Sequence, residues 1–225
     1  MFHAIALLEF DSIAAGIEAG DAMAKRAPID LILGGTVQPG KYLVLVAGSV
    51  ADVEESLASG REIGAQFVID EVYLPGVHPE VVRALASGRQ PDPQESTRCM
   101  IEALGVVETR TVASAILSAD AGVKGAEVSL LEVRLADGLG GHGLVFFSGL
   151  VADVEAAVRI GTDAIAGPAL IHAVVIPRLH AEMAANLLDA TRWRDHAVRL
   201  ANEPTLKGGV PKEGRGNPAR THDRA

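Results

Sequence analysis

The sequence predicts an α/β (α+β) protein made of two tandem copies of one domain, each a four-stranded sheet with helices. Val50–Glu54 recurs letter for letter as Val151–Glu155, in each case shortly after an apolar run that ends in glycine. The pattern of apolar residues also alternates between strand and helix periods in the same order in both halves. The chain has 225 residues, enough for two domains of about 100 residues with real cores.

The repeat extends along both halves, so a whole domain is duplicated. Three further pairs of segments align, with offsets that grow from 99 to 102: Ile5–Glu9 with Leu104–Glu108, Asp21–Lys25 with Asp120–Lys124, and Leu74–His78 with Ile176–His180. We therefore predict a first domain at 1–88, a linker at 89–101, which is rich in Pro and polar residues, a second domain at 102–200, and a disordered tail at 201–225.

Within each copy the predicted order is β-α-β-β-α-β-α, the split βαβ plan of ferredoxin-like domains, in which helices cover one face of the sheet. The predicted strands are 3–10, 29–36, 42–48 and 67–74, then 103–109, 127–135, 143–149 and 169–176. The predicted helices are 11–26 and 50–64, then 110–125 and 151–165, with a terminal helix in each copy after the proline that follows the fourth strand.

Composition excludes several function classes. The net charge of −9 argues against nucleic acid as a partner. The one cysteine, Cys99, excludes an internal disulfide framework and fits a reducing cytoplasm. Glu9 interrupts the first apolar run, so we expect no signal peptide or membrane span and a cytoplasmic location. The sequence shows no phosphate loop, nucleophile elbow or metal-ligand run, and we therefore expect no enzyme and no catalytic residues.

Five features occur in order in both halves, and together they resemble the bacterial microcompartment (BMC) shell domain over about residues 3–190. They are a first strand that ends in Glu, an Asp-x-x-x-Lys helix end, a loop before a strand that ends in Gly, a Val-x-Asp-Val-Glu helix start, and the Val175–His180 segment or its counterpart. Two copies in one chain resemble the tandem-domain trimer class, whose three chains imitate the hexamers of single-domain relatives.

The resemblance implies a structural role in the shell of a bacterial microcompartment. It implies a homotrimer with a pseudohexameric outline that tiles with other shell proteins, hexamers and pentamers, around encapsulated enzymes. The expected location is therefore the shell, inside the cytoplasm, with no membrane partner.

The resemblance also implies a central pore for small polar metabolites. Two segments match the family's pore loops, Thr36–Lys41 and Asp137–His142. The expected pore-lining residues are Val37, Gln38, Pro39, Gly40, Leu139, Gly140, Gly141 and His142. Taken alone, the same segments are more simply interpreted as ordinary hairpin turns, because Pro-Gly and Gly-Gly are common turn dipeptides, and it is the repeat in register that favours the pore.

Three residues match the family's tile-edge contacts: Lys25, Lys124 and Arg178. Gly76 stands where Arg178 has its counterpart, so half of the edges would lack the arginine. A lysine in the last turn of a helix also has a simpler explanation, because it complements the helix dipole.

No metal or other cofactor is expected. Some tandem relatives hold an iron–sulfur cluster through a cysteine in the first loop, where this chain has Gln38. Three copies of His142 at an axis would suit a metal ion, although a solvent-facing loop histidine is the simpler interpretation. His78 and His180 are interpreted as packing or helix-capping residues.

Two other function classes stay open at this point. The first is a trimeric ferredoxin-like regulatory protein that binds a metabolite between subunits. The second is an isomerase or cyclase on this fold, which would require an acid–base pair in a cleft, and the sequence points to no such pair.

Overall fold

The computed structural model describes residues 3–87 and 102–189. The strands of the first copy are β1 (Ala4–Phe10), β2 (Leu31–Val37), β3 (Lys41–Gly48) and β4 (Val68–Leu74), and its helices are α1 (Ile13–Arg26), α2 (Val50–Gly64) and α3 (Pro79–Ser87). The strands of the second copy are β5 (Ala103–Thr109), β6 (Ser129–Leu135), β7 (Gly143–Gly149) and β8 (Leu170–Pro177), and its helices are α4 (Val112–Gly125), α5 (Val151–Asp163) and α6 (Ala181–Asp189). The predicted linker and tail lie outside the described residues.

The predicted element order is confirmed. For every helix and strand that was predicted with a first and a last residue, both ends agree within two residues. Helices α1 and α4 begin two residues later than predicted because Ser12 and Thr111, the N-cap residues, have extended backbones. The Ser12 hydroxyl accepts a hydrogen bond from the Ala15 N–H at 3.3 Å, which satisfies one of the free donors of the first turn. No helix of the described residues is both long and apolar enough to cross a bilayer.

The two sheets have the same topology and register. Their strand orders are β2-β3-β1-β4 and β6-β7-β5-β8, with antiparallel pairing throughout. In the first sheet Glu9 pairs with Asp70, and in the second Glu108 pairs with His172. Residues at the same place in the two registers are called counterparts below.

The prediction that helices cover one face of each sheet is incomplete for the first copy. Strand β1 is buried at every position, because its two faces pack against different elements. Ala6, Leu8 and Phe10 pack with α1 and α2 in one cluster. Ile5 and Leu7 belong to a larger cluster that includes residues of α4 and reaches through the second copy. Both sheets therefore belong to one compact unit of the chain.

Helix α5 crosses α4 at close range, and a glycine makes the approach possible. A Cβ atom on Gly161 would lie 2.8 Å from the backbone oxygen of Ser118 and 2.7 Å from its hydroxyl. Backbone atoms cannot move aside as a flexible side chain does, so only glycine fits at this crossing.

We predict that Gly161→Ala lowers the free energy of unfolding by about 1–3 kcal/mol, although alanine is the better helix former. Urea unfolding followed by circular dichroism measures this change. Gly20→Ala on α1 is the matched control, because its Cβ would meet only Val44 at 3.4 Å and its counterpart is Ala119. Equal stability of the two variants would contradict the packing argument.

Candidate assembly interface and pore

The two proposed pore loops are hairpin connections that join β2 to β3 and β6 to β7. The first loop contains only Gln38–Gly40, because β2 continues to Val37 and β3 begins at Lys41. Gly40 has a φ of +110° and Gly141 a φ of +90°, values that residues with a Cβ rarely adopt. Glycine is therefore required at these places to turn the chain back into the next strand.

The structure brings the two loops together within one chain. The Lys41 Nζ donates a hydrogen bond to the Gly141 carbonyl at 3.3 Å. A Cβ on Gly141 would lie 2.8 Å from Pro39 Cδ, so the loops are in direct contact there. Gln38, Pro39, Gly40 and Gly140 are exposed, Val37 and Leu139 are half-buried, and Gly141 is buried against the first loop.

His142 faces a carboxylate of its own copy. Its Nδ1 lies 3.4 Å from Glu108 Oε1, and both side chains are about two-fifths exposed. The described part of the chain contains no group of three or more His, Cys, Asp or Glu side chains placed to hold a metal ion. Nothing in this geometry adds support for a histidine metal site.

The candidate edge residues have different surroundings. Lys25 pairs with Asp21 on the exposed surface of α1. Its counterpart Lys124 pairs with Asp120, whose buried carboxylate also accepts the His78 N–H at 2.8 Å. Arg178 is exposed beyond β8, with a φ of +51°.

The interpretation of His78 and His180 as helix-capping residues is confirmed. The Nδ1 of His78 accepts the Glu80 N–H, and the Nδ1 of His180 accepts the Glu182 N–H, both at 3.3 Å. Each histidine precedes a terminal helix and satisfies a donor of its first turn. Neither belongs to a group of three or more His, Cys, Asp or Glu side chains placed to hold a metal ion among the described residues.

The most organised polar cluster in the structure joins the two copies, and the sequence analysis did not identify it. The Glu9 carboxylate is fully buried and accepts the N–H groups of Val112 and Ala113 at 2.8 and 3.4 Å. These are the first residues of α4, where the helix dipole also favours a negative charge. Lys41 completes the site, with its Nζ 2.6 Å from Glu9 Oε1.

Further polar contacts follow the same boundary. Asp70 accepts hydrogen bonds from the hydroxyls of Thr111 and Ser114. Glu80 accepts the Leu130 N–H at 2.9 Å. We call this set the intrachain junction: Glu9, Lys41, Asp70, His78 and Glu80 of copy one against Val112–Ser114, Asp120 and Leu130 of copy two.

The sequence contained one signal of this junction, because Glu9 is the single charged residue in β1.

Burial raises the pKa of the Glu9 carboxyl above its ordinary value of 4.5, while Lys41 and the two backbone N–H groups act in the opposite direction. A raised pKa means that ionisation of Glu9 is less favourable in the folded protein than in the unfolded chain. The protonated form of Glu9 therefore contributes to the stability of the fold below pH 4.5, and this contribution is lost as the pH rises through the raised pKa.

An apolar groove of about 330 Å³ lies between the first sheet and α3, with Leu135 of the second copy at its border. Its lining is almost entirely aliphatic, and Thr36 supplies its only side-chain hydroxyl. A polar metabolite would find few hydrogen-bond partners here. The groove therefore gives no support to a site for polar effectors.

We predict that Lys41→Met lowers the free energy of unfolding by about 3 kcal/mol at pH 8, because the Glu9 carboxylate then stays buried without a cation. The loss should be smaller near pH 5, where Glu9 takes up a proton more readily. Urea unfolding at one protein concentration measures both values. Lys25→Met is the control, since its exposed pair should contribute at most about 1 kcal/mol. A loss that does not change with pH would contradict this role of Lys41.

Comparisons with known proteins agree with this architecture. The BMC domain model matches the chain twice, at residues 4–77 and 103–179. The bacterial microcompartment shell protein PduT of Citrobacter freundii is 36% identical over 184 residues, which are 81% of this chain and 96% of that protein. The major carboxysome shell protein CsoS1A of Halothiobacillus neapolitanus is 42% identical over 83 residues, or 36% of this chain and 83% of that protein.

A crystal structure of a microcompartments protein from Desulfitobacterium hafniense DCB superposes with a TM-score of 0.69 at 39% identity. The match covers 83% of this chain and all of that one. The duplicated model match, the two sheets of equal topology and the relatives that match most of this chain all agree. This chain belongs to the BMC domain family of bacterial microcompartment shell proteins, as a member with two domains in tandem.

Proposed function

We propose that the chain is a homotrimeric tile of a microcompartment shell, in which three molecules close a ring of six domains around a pore. One observation carries this proposal. The surfaces that are buried at the intrachain junction are exposed at the counterpart positions, on α1 of copy one and on β8 and α6 of copy two. These exposed surfaces can therefore pack together between two molecules in the way that their counterparts pack within one chain.

The first of these surfaces is one side of α1. Val112 and Ile116 of α4 are fully buried against copy one. Their counterparts on α1, Ile13 and Ile17, are 38% and 55% exposed. Full burial of an aliphatic side chain contributes about 1.5–3 kcal/mol, so this surface favours association.

The matching surface lies on the open side of copy two. Val72 on β4 is 3% exposed, whereas its counterpart Val174 on β8 is 37% exposed. Val81 on α3 is fully buried, whereas Met183 at the same place on α6 is 51% exposed. The open side of copy two thus has the same apolar positions that hold α4 at the intrachain junction.

The polar contacts of the junction have counterparts as well. Glu108 stands in the place of Glu9, and Asp21 on α1 stands in the place of Asp120. His180 and Glu182 repeat His78 and Glu80. We infer that copy two of one molecule receives α1 of the next molecule. Such a head-to-tail contact closes into a ring when its rotation matches the symmetry, and six domains require three chains.

The pore follows from this ring. The two loops already touch within one chain, so six loops would meet near the axis. We propose that Val37, Gln38, Pro39, Gly40, Leu139, Gly140, Gly141 and His142 border the opening, with the exposed residues Gln38, Pro39, Gly40 and Gly140 nearest to the passing solute. Amide and backbone N–H groups at such a constriction suit small polar metabolites.

The role that these features support is structural. We propose no catalytic activity, no cofactor and no nucleic-acid or membrane partner. The partners are other copies of the chain, hexameric and pentameric shell proteins at the tile edges, and the enzymes inside. Lys25, Lys124 and Arg178 are the proposed edge contacts. The regulatory alternative receives no support from the apolar groove.

The ring predicts that Ile17→Asp turns trimers into monomers and leaves the fold intact, because the carboxylate would be buried at the place of Ile116. Mass photometry gives the oligomeric state, and circular dichroism reports the fold. Ile63→Asp on α2 is the control, since Ile63 is similarly exposed and its counterpart Ala164 is exposed too. Trimers in the Ile17→Asp variant would overturn the proposed interface.

The edge assignment predicts that Lys25→Gln leaves trimers unchanged and reduces the flat sheets that electron microscopy detects at high protein concentration. Glutamine removes the charge without adding repulsion next to Asp21. Glu62→Gln, on the exposed surface of α2, should leave sheets unaffected. Normal sheets in the Lys25→Gln variant would exclude Lys25 from the edge contact.

A further inference from the structure

We propose that the contact between molecules is sensitive to pH, with His142 acting as a titratable substitute for Lys41. The trimer should be tighter near pH 6 than near pH 8. This inference rests on the proposed homotrimer, and it adds a regulatory property to the interface. It arises from comparing the polar contacts of the intrachain junction with their counterparts on the open side of copy two.

The sheet registers establish the counterpart. Tyr42 pairs with Phe10, and Gly143 pairs with Thr109. The residues just before Tyr42 and Gly143, Lys41 and His142, therefore occupy the same place. Each reaches the glutamate of the neighbouring strand, with distances of 2.6 Å from Lys41 Nζ to Glu9 and 3.4 Å from His142 Nδ1 to Glu108.

The carboxylate environments differ within the single chain. Glu9 is fully buried beside a permanent cation, whereas the Glu108 side chain is 38% exposed. When the next α1 packs onto copy two, Glu108 loses water and takes the environment of Glu9. A buried carboxylate without a positive partner is costly, so the assembled ring favours a protonated His142. A histidine side chain ordinarily changes its charge near pH 6.5, which lies between the two pH values compared, about 6 and 8.

Hydrogen bonding acts in the same direction. Lys41 donates to Glu9 and also to the carbonyl of Gly141 in the other copy. At the contact between molecules, the matching acceptors are Glu108 and the Gly40 carbonyl of the next molecule. A neutral imidazole has one N–H donor, whereas the protonated ring has two. Protonated His142 can therefore reproduce both contacts of Lys41.

The other charged groups around this position do not replace His142. Lys41 of the same chain bonds to the Gly141 carbonyl, directly before His142, and acts against a charge on His142 in the single chain already, so the ring does not create this effect. His172 pairs with Glu108 across the strands and stands in the place of Asp70. A charge on His172 would meet the positive end of the next α1, so its protonation does not favour the ring. The Arg110 guanidinium donates to the Pro168 carbonyl at 3.1 Å, on its own copy. Asp11 of the next molecule precedes α1, and it adds negative charge that needs balancing.

The test measures trimer dissociation by mass photometry on dilution, with urea added to both buffers if the trimer is too tight. For the wild type, the concentration at half-dissociation should be about tenfold lower near pH 6 than near pH 8. His142→Lys should hold the trimer equally well at both values. His142→Gln should lose the pH response and dissociate at both values as the wild type does near pH 8. His172→Gln should keep the response.

Acidification also lowers the net negative charge of the whole chain, which favours association in general, and the variants separate this effect. A response that persists in His142→Gln, or a wild type with equal dissociation at both pH values, would overturn the inference and leave the trimer proposal standing. Monomers at every pH, in the wild type and in His142→Lys alike, would instead refute the trimer itself.

Discussion

One buried carboxylate organises how the two halves of this protein join. Glu9 lies in a strand that is covered on both faces, where a charge is stable only with donors and a cation around it. The N-terminus of α4 supplies two N–H groups, and Lys41 supplies the positive charge. These contacts position the start of α4 against the first sheet. The apolar residues of α4 that follow, Val112 and Ile116, then pack on the same face.

The two copies have one topology and two different surroundings. Positions that are buried at the intrachain junction are exposed at their counterparts in the other copy, as Ile116 and Ile17 show. A monomer with such surfaces would present apolar side chains to water on both sides. The proposed ring would cover both surfaces at once, because each exposed surface is the counterpart of a buried one. The tandem arrangement thus contains a template of its own proposed assembly.

Duplication also allowed the two kinds of contact to diverge in chemistry. Within the chain, the glutamate has a permanently charged lysine beside it. On the open side of copy two, the same place holds His142, and the place of Asp70 holds His172. The contact within one chain does not form and dissociate during assembly, so a permanently charged lysine can serve there. In the proposed ring, the contact between molecules forms during assembly, and His142 would let it respond to pH near neutrality.

The sequence by itself determined the duplication and the order of strands and helices, because repeats and hydrophobic periods are local properties of the chain. It left His78 and His180 as packing or capping residues, and the structure shows that both cap a helix. It marked Glu9 as unusual but did not show what this residue contacts. Its partners, Val112 and Ala113, lie about a hundred positions away along the chain. Only the tertiary structure decided that α4 covers the second face of the first sheet, that the two loops touch, and that Lys41 bonds to the Gly141 carbonyl of the other copy. Those facts depend on how one domain packs against the other, and no periodicity within a single domain records them.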